Sequence, residues 1–202
     1  VVIVLTNWQC IRYGGDDALA VFSLISYVLA SVQLLLQGVG DGIQPLLSFY
    51  YGAGEKKKIR FLFRKGMICA VFISLLTAIG VTFGSDQIVA LFGMSGSLAE
   101  EAYPALVITA ASFLSVGLSR CISAYFYAVE KTNISTFLVY LEPCALFPIA
   151  LYLLPVFLGL NGVWIAYPAA QFVLALLCVI LYFKTEYQTE LRSFRSPSKG
   201  EA

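Results

Sequence analysis

The sequence predicts an all-α integral membrane protein. Its 202 residues are 59% hydrophobic and only 12% charged, and the mean hydropathy is +0.83. Soluble domains contain about a quarter charged residues, and an aqueous core has no room for so many apolar side chains. Because long runs without charge recur along the chain, we expect the excess apolar surface to face lipid from membrane-spanning helices.

The individual helices follow from these runs, taken in order. A bilayer core of about 30 Å needs about 20 apolar residues of helix. Runs without any charge occupy residues 18–40, 66–85, 102–119 and 143–183. The last run is too long for one helix and is divided by the turn residues Pro155, Gly159, Asn161 and Gly162.

The charge-free runs and the turn residues that divide them predict one truncated helix and five complete ones. The truncated helix is expected at 1–13, and the complete helices at about 17–51, 61–83, 98–128, 133–158 and 163–183. Together they form a transmembrane region at 1–185, followed by a polar tail at 186–202. The prediction is therefore a six-helix transmembrane lobe.

Lys and Arg are concentrated in alternate connections. Six of the 13 lie within 55–65, one is Lys131, and four follow residue 183. Basic loops remain on the cytoplasmic side of cell membranes. We therefore predict a multi-pass protein of the cell membrane whose loops 55–65 and 130–132 and C-terminal tail are cytoplasmic.

The composition also excludes several classes of function. The chain has no His for acid–base chemistry, and a net charge of +1 provides no basic face for nucleic acid. Its five Cys lie singly in apolar runs, so we interpret them as packing residues rather than as zinc ligands or disulfides. No Walker-type phosphate loop occurs. We expect no enzyme activity, no bound cofactor or metal, and no nucleic-acid partner.

Three ionisable residues lie in the middle of predicted helices: Asp41, Arg120 and Glu142. Each falls roughly 13 to 16 Å from the cytoplasmic end of its helix, at about 1.5 Å per residue. A charge at this depth costs at least roughly 2.5 kcal/mol and therefore indicates function. Two interpretations remain open. The residues form a structural salt bridge between three helices, or Arg120 neutralises one acid and the other exchanges a proton or a cation.

A polar stripe follows the first complete helix. Its members recur at spacings of three, four or seven residues and so share one helix face. They are Ser23, Ser26, Gln33, Gln37, Asp41, Gln44 and Ser48. Such a face cannot contact lipid, and large amide side chains favour a water-filled cavity over close packing. We therefore predict that Gln33, Gln37 and Gln44 line a substrate cavity.

Three further residues complete the predicted cavity: Asn7, Tyr140 and Gln171. Asn7 and Gln171 carry amides on the first and last helices. The ring of Tyr140 suits flat organic cations, and contact with lipid is its alternative role.

Three segments resemble the multidrug and toxic compound extrusion (MATE) family. They are GIQPLLSFYYGAG at 42–54, AYFYA at 124–128 and GLNGVWIAYP at 159–168. In order and spacing they are similar to the C-terminal lobe of that family, with its first helix truncated. The resemblance implies a twelve-helix transporter of two six-helix lobes. Its N-terminal lobe lies outside this sequence, and Val1 in place of Met fits a chain that begins inside a longer gene.

The resemblance also implies a function. Members of the family export cationic drugs or other organic compounds in exchange for H⁺ or Na⁺ by alternating access. The implied partners are small organic substrates, membrane lipid and the N-terminal lobe of the same polypeptide. In one subgroup the coupling site is a Glu and an Asp, whose helices here carry Asn7 and Arg120 instead. The coupling role of Asp41 and Glu142, with Arg120 as partner, therefore rests on their depth and on the stripe alone.

Two other functions stay open. A flippase for lipid-linked oligosaccharides or polysaccharides, from the same superfamily, would need a strongly cationic cavity, whereas Arg120 is the one basic residue in mid-membrane. A non-transporting membrane subunit or truncated product would have no need for the polar stripe.

Overall fold

The computed structural model describes residues 2–195, with side chains described for residues 2–185. Over this range the chain is almost entirely helical. The elements are α1 (Val2–Gly52), α2 (Lys56–Phe83), α3 (Ser85–Leu91), α4 (Ser97–Ala110), α5 (Phe113–Ala128), α6 (Thr132–Leu141), a π-helical segment (Glu142–Leu146), α7 (Phe147–Leu158) and α8 (Leu160–Arg195).

Five helical stretches of the described residues are long and apolar enough to cross a membrane. They are Val2–Gly52, Lys56–Phe83, Ser97–Ala128, Thr132–Leu158 and Leu160–Thr185. The predicted all-α membrane fold is confirmed.

Helix α1 contains a break near its start. Gly15 adopts φ 68° and ψ −153°, a region of backbone space that is essentially restricted to glycine. Residues 2–14 and 16–52 therefore form two helical parts, at the positions where the sequence predicts separate helices at 1–13 and 17–51.

Two predicted helices are interrupted. The helix predicted at 98–128 is divided into α4 and α5, and the helix predicted at 133–158 contains the π-helical segment. In that segment the backbone N–H of Phe147 donates to the carbonyl oxygen of Glu142, five residues earlier. Pro143 lies in this segment and Pro148 follows it in α7, and because neither residue has an N–H donor, each removes one hydrogen bond from the regular α-helical ladder.

Two predicted helix ends are corrected. Helix α2 begins at Lys56 rather than at 61, and α8 continues to Arg195, so the tail predicted at 186–202 starts within a helix. The prediction followed hydropathy, which marks where a helix leaves the apolar layer. Lys, Arg, Glu and Gln are good helix formers and continue the helix into water. Residues 196–202 of the predicted tail lie outside the described residues.

Glycine residues allow close contacts between helices in the half of the bundle that contains Leu47 and Phe126. A Cβ added at Gly40 of α1 would lie 3.3 Å from the carbonyl oxygen of Arg120, and one added at Gly66 of α2 would lie 2.6 Å from Ile43. Small residues allow this approach of helix backbones in membranes. The contact at Gly40 places α5, with Arg120, directly against α1.

Candidate functional site

A cleft of about 300 Å³ opens between both parts of α1, the middle of the bundle and α8. Most of its wall is apolar, with aromatic rings from Phe22, Phe147 and Trp164. Its polar side chains are Thr6, Ser26, Gln33, Thr109, Glu142 and Tyr167. A cavity of this size, largely apolar with a few converging polar groups, is typical of a small-molecule site.

The Tyr167 hydroxyl joins two of the helices that form the cleft. The side-chain amide of Gln33, on α1, donates to Tyr167 Oη at 2.6 Å. The amide of Gln171, one turn further along α8, donates to the same oxygen at 3.1 Å. A phenolic oxygen accepts two hydrogen bonds and donates one. Both acceptor positions are therefore occupied, and the hydroxyl proton remains available to a third group.

Glu142 is the acid nearest to this hydroxyl network. It lines the cleft from the π-helical segment and is half-buried. Its carboxyl group interacts with the side chain of Gln171 and with the charge of Arg120, and it also acts electrostatically on Tyr167. We call Gln33, Arg120, Glu142, Tyr167 and Gln171 the polar cluster. It joins α1, α5, the π-helical segment and α8.

The π-helical segment determines where this carboxyl group points. A π turn inserts an extra residue into the helix and rotates the side chains that follow it, and such turns are frequent at functional sites. Both Glu142 and Pro143 line the cleft. The irregular segment therefore contributes the acidic side chain of the cleft.

The structure places several predicted cavity residues elsewhere. Asp41 and Gln37 are exposed on the outer surface of α1, and Gln44 is half-buried outside the cleft. Tyr140 is 63% exposed. Asn7 is half-buried and does not line the cleft, although its neighbour Thr6 does.

The three intramembrane charges do not form a salt bridge with one another, which was one of the two interpretations that the sequence left open. Among pairs within residues 2–185, the one ion pair is Lys58 with Glu55, at 3.0 Å. Arg120 acts electrostatically on Glu142, whereas Asp41 is exposed. The prediction used depth alone, and equal depth does not determine the direction in which a side chain points.

Sequence reasoning missed Tyr167 as a site residue. Tyr167 and Gln171 are four residues apart, and this spacing places two polar side chains on one face of an apolar helix. The same signal identified the stripe on α1, where Ser26 and Gln33 do line the cleft. A search for polar pairs on α8 would have found Tyr167.

A comparison with known protein families shows to which family this chain belongs. The model of the MatE family matches residues 2–151. The chain belongs to the MatE family. This is a family of membrane transporters and not of enzymes, so the resemblance noted in the sequence is confirmed.

Individual MatE relatives are similar over most of this chain. The probable multidrug resistance protein YoeA of Bacillus subtilis (strain 168) is 27% identical over 179 residues, which are 86% of this chain and 38% of YoeA. The multidrug export protein MepA of Staphylococcus aureus (strain NCTC 8325 / PS 47) is 23% identical over 177 residues, with the same shares of 86% and 38%.

Solved structures of MATE transporters share the fold. The outward-facing conformation of a multidrug resistance MATE family transporter superimposes with a TM-score of 0.84 at 19% identity, over 93% of this chain and 42% of that one. A MATE structure in the bent conformation has a TM-score of 0.85 at 18% identity, over 96% of this chain and 43% of that one. The chain therefore spans about two fifths of these proteins and has the fold of one lobe of a two-lobed MATE transporter.

Proposed function

We propose that this chain is one lobe of a secondary efflux antiporter, which exports small cationic organic compounds in exchange for H⁺ or Na⁺ by alternating access. The observation that carries the proposal is the single carboxyl group of Glu142 in the wall of the cleft. The names of the relatives, which describe multidrug resistance and multidrug export, support this class of substrate. The transporter would require no bound cofactor.

The chemistry rests on competition for one charge. When Glu142 is ionised, its carboxylate attracts an organic cation, and the rings of Phe22, Phe147 and Trp164 offer faces for a flat cation. When Glu142 takes up a proton or a Na⁺ ion, that attraction is cancelled and the organic cation is released. Because the two cations cannot share the carboxylate, the uptake of one favours the export of the other.

The rest of the polar cluster links this exchange to movement of the helices. The Tyr167 hydroxyl connects α1 to α8 and has a proton to donate toward Glu142. The loss or gain of charge on Glu142 therefore changes the hydrogen bonds between helices. We propose that the π-helical segment, which is already an irregular point in its helix, bends in response.

The exposed polar face of α1 has a separate role in this proposal. Asp41 and Gln37 cannot face lipid without a large cost in free energy. We propose that they face the second lobe of the same polypeptide across a water-filled space.

The basic loops 55–65 and 130–132 lie on the cytoplasmic side, as the positive-inside rule predicts.

The charge of the cleft favours this function over a flippase for lipid-linked sugars. Among the described residues that line the cleft, Glu142 is the one Asp, Glu, Lys or Arg, and it is acidic. A pyrophosphate-linked substrate needs cationic side chains at this position, and Arg120 alone does not provide them.

The test is transport by the full-length protein in proteoliposomes, with a cationic dye as substrate. A gradient of about one pH unit stores about 1.4 kcal/mol, enough for about tenfold accumulation by one-to-one exchange. We expect accumulation against a proton or a Na⁺ gradient, and whichever gradient drives it identifies the coupling ion. Absence of accumulation with both gradients, in vesicles that contain folded protein, would contradict the proposal.

Replacement of Tyr167 by Phe tests the polar cluster. The change leaves the ring in place but removes the acceptor for Gln33 and Gln171 and the donor available to Glu142. A hydrogen bond to a charged group contributes about 1.5 to 3 kcal/mol, so we expect transport to fall about tenfold or more. The midpoint of the pH–rate profile should also move, which a simple loss of packing would not cause.

Tyr27→Phe is the matched control. Tyr27 lies on α1, is 64% exposed and is outside the cleft. Loss of the Tyr27 hydroxyl group should leave both the transport rate and its pH profile unchanged. Equal effects of the two changes would show that the hydroxyl of Tyr167 has no special role.

A further inference from the structure

Gln171 on α8 has a buried side chain whose hydrogen bonds are incomplete. It is 1% exposed, and its Nε2 donates to Tyr167 Oη at 3.1 Å. The second N–H of this amide is available to the carboxyl group of Glu142, with which the same side chain interacts. Its Oε1 atom has no hydrogen-bond partner among the described residues. A buried acceptor without a donor is rare and unfavourable, so this oxygen requires an explanation.

The two ends of the Gln171 amide suit the two states of Glu142. An ionised carboxylate accepts hydrogen bonds, and the N–H end of the amide can supply one. A protonated carboxyl group has an O–H that must donate. Tyr167 Oη already accepts from Gln33 and Gln171, so it offers this O–H no position. The buried acceptor in the polar cluster that still lacks a donor is Oε1 of Gln171.

We propose that Oε1 of Gln171 accepts the O–H of protonated Glu142 after a half-turn of the amide, and that the coupling ion is H⁺. The last torsion of a Gln side chain is broad and roughly two-fold, so a half-turn exchanges Nε2 and Oε1. The hydrogen bond from Nε2 to Tyr167 breaks in this step. The Tyr167 hydroxyl then donates to the same Oε1, because a carbonyl oxygen accepts two hydrogen bonds. This inference rests on the proposed antiport and names the ion and a positioning residue for it.

A Na⁺ ion matches the same atoms less well. Hard metal cations take about six or more oxygen ligands, whereas the cluster offers the carboxylate of Glu142 and the amide oxygen of Gln171. Tyr167 Oη already accepts two hydrogen bonds. Within the described part of the chain, no group of three or more His, Cys, Asp or Glu side chains could hold a metal ion. A proton on Glu142 needs one acceptor, and Gln171 supplies it.

The groups around Glu142 allow its protonation to be observed separately. The charged and titratable side chains that act on it are Arg120 of α5 and Tyr167 of α8. Acid and phenol groups on the other helices nearby are exposed outside the cleft: Asp41 of α1, Tyr140 of α6 and Tyr152 of α7. A guanidinium keeps its charge and a phenol keeps its proton between acid and neutral pH. A carboxylic-acid signal from the polar cluster therefore belongs to Glu142.

The experiment is infrared difference spectroscopy of the purified full-length protein between acid and neutral pH. Glutamine labelled with ¹³C at its side-chain carbonyl separates the amide bands of Gln from those of the backbone. In the wild type we expect a carboxylic-acid band that is absent in Glu142→Gln. We also expect one labelled amide band to move to lower frequency at acid pH, because a carbonyl that accepts a hydrogen bond has a weaker C=O bond.

Gln171→Leu removes both ends of the amide. The shift of the amide band should then be lost, and the acid band of Glu142 should move to higher frequency because its O–H loses the acceptor. Gln9→Leu is the matched control, since Gln9 is also 1% exposed, has an unpartnered Oε1 and lies outside the cleft. It should keep both signals. Equal spectra for the two variants would reduce Gln171 to a packing role and overturn the inference.

Transport in proteoliposomes gives the second readout. We expect a pH gradient and not a Na⁺ gradient to drive dye accumulation in the wild type. Loss of the hydrogen bond to protonated Glu142 should slow this transport about tenfold in Gln171→Leu, with no such loss in Gln9→Leu.

Three results would overturn the inference in different ways. An acid band of Glu142 without any change in a labelled amide of the wild type would exclude the pairing, and this measurement stands even if Gln171→Leu does not fold. Accumulation driven by a Na⁺ gradient alone would exclude H⁺ and leave the antiport in place. Absence of accumulation with both gradients would remove the proposed function and H⁺ coupling with it, while the infrared bands would still decide whether Gln171 pairs with Glu142.

Discussion

Replacement of Glu142 by Gln is expected to reduce cation-coupled export to the level of empty vesicles, while folded protein remains in the membrane. Gln has nearly the shape of Glu but takes up no proton and has no negative charge for a cation. The interactions of this side chain with Gln171 and with the neutral part of the cluster can persist. Dye accumulation in proteoliposomes of the full-length protein, under the gradient that drives the wild type, measures the effect.

Asp41→Asn is the matched control, because it removes the same charge from another intramembrane acid. Asp41 is exposed on α1 and lies outside the cleft, so we expect coupled transport to continue. Glu142→Asp keeps the charge on a shorter side chain and should restore part of the activity. If Asp41→Asn abolished export and Glu142→Gln did not, the coupling site would lie on the polar face of α1 and our assignment would be wrong.

Replacement of Gly162 by Ala is expected to have the largest effect on stability. Gly162 is buried at the start of α8, where the chain turns back from α7. A Cβ added there would lie 2.5 Å from the carbonyl carbon and oxygen of Leu154 and 2.6 Å from the nitrogen of Pro155. These are backbone atoms and cannot rotate away, so α7 and α8 must separate. We expect a loss of about 3 kcal/mol or more in the free energy of unfolding.

The melting temperature in detergent measures this loss, which corresponds to a decrease of roughly 6 °C or more for a chain of this size. Gly80→Ala is the control. Gly80 lies within α2, and a Cβ added there would meet no atom within 4 Å. Ala is favoured over Gly inside a helix by about 0.5 to 1 kcal/mol, so this change should leave stability unchanged or raise it. Equal melting temperatures for the two variants would contradict the close contact at Gly162.

The two residues next to Gly162 connect this prediction to the site. Val163 and Trp164 line the cleft and follow Gly162 on α8. A displacement of α8 moves them together with Tyr167. Gly162→Ala protein that still folds is therefore expected to bind the cationic dye more weakly, which equilibrium binding in detergent would show.

The sequence by itself determined the class of the protein and the order of its membrane helices. Entry of a segment into the apolar layer depends on its own hydropathy, which is a local property. Local chemistry also predicted the break near Gly15 and the turn before α8, because Gly permits backbone conformations that interrupt a helix and Pro removes a helical hydrogen bond wherever they occur. The helix ends in water were less well predicted, since hydropathy does not report where a hydrogen-bond ladder stops.

Only the tertiary structure decided which polar residues meet. Asp41, Arg120 and Glu142 share a predicted depth, but the direction of each side chain depends on how its helix is rotated against its neighbours. The contact of Gly40 with α5, together with the π turn at Glu142, sets these rotations. Tyr167 then joins α1 to α8 by hydrogen bonds between residues that are 134 positions apart in the sequence. No local pattern contains such a pairing, because it results from the packing of whole helices.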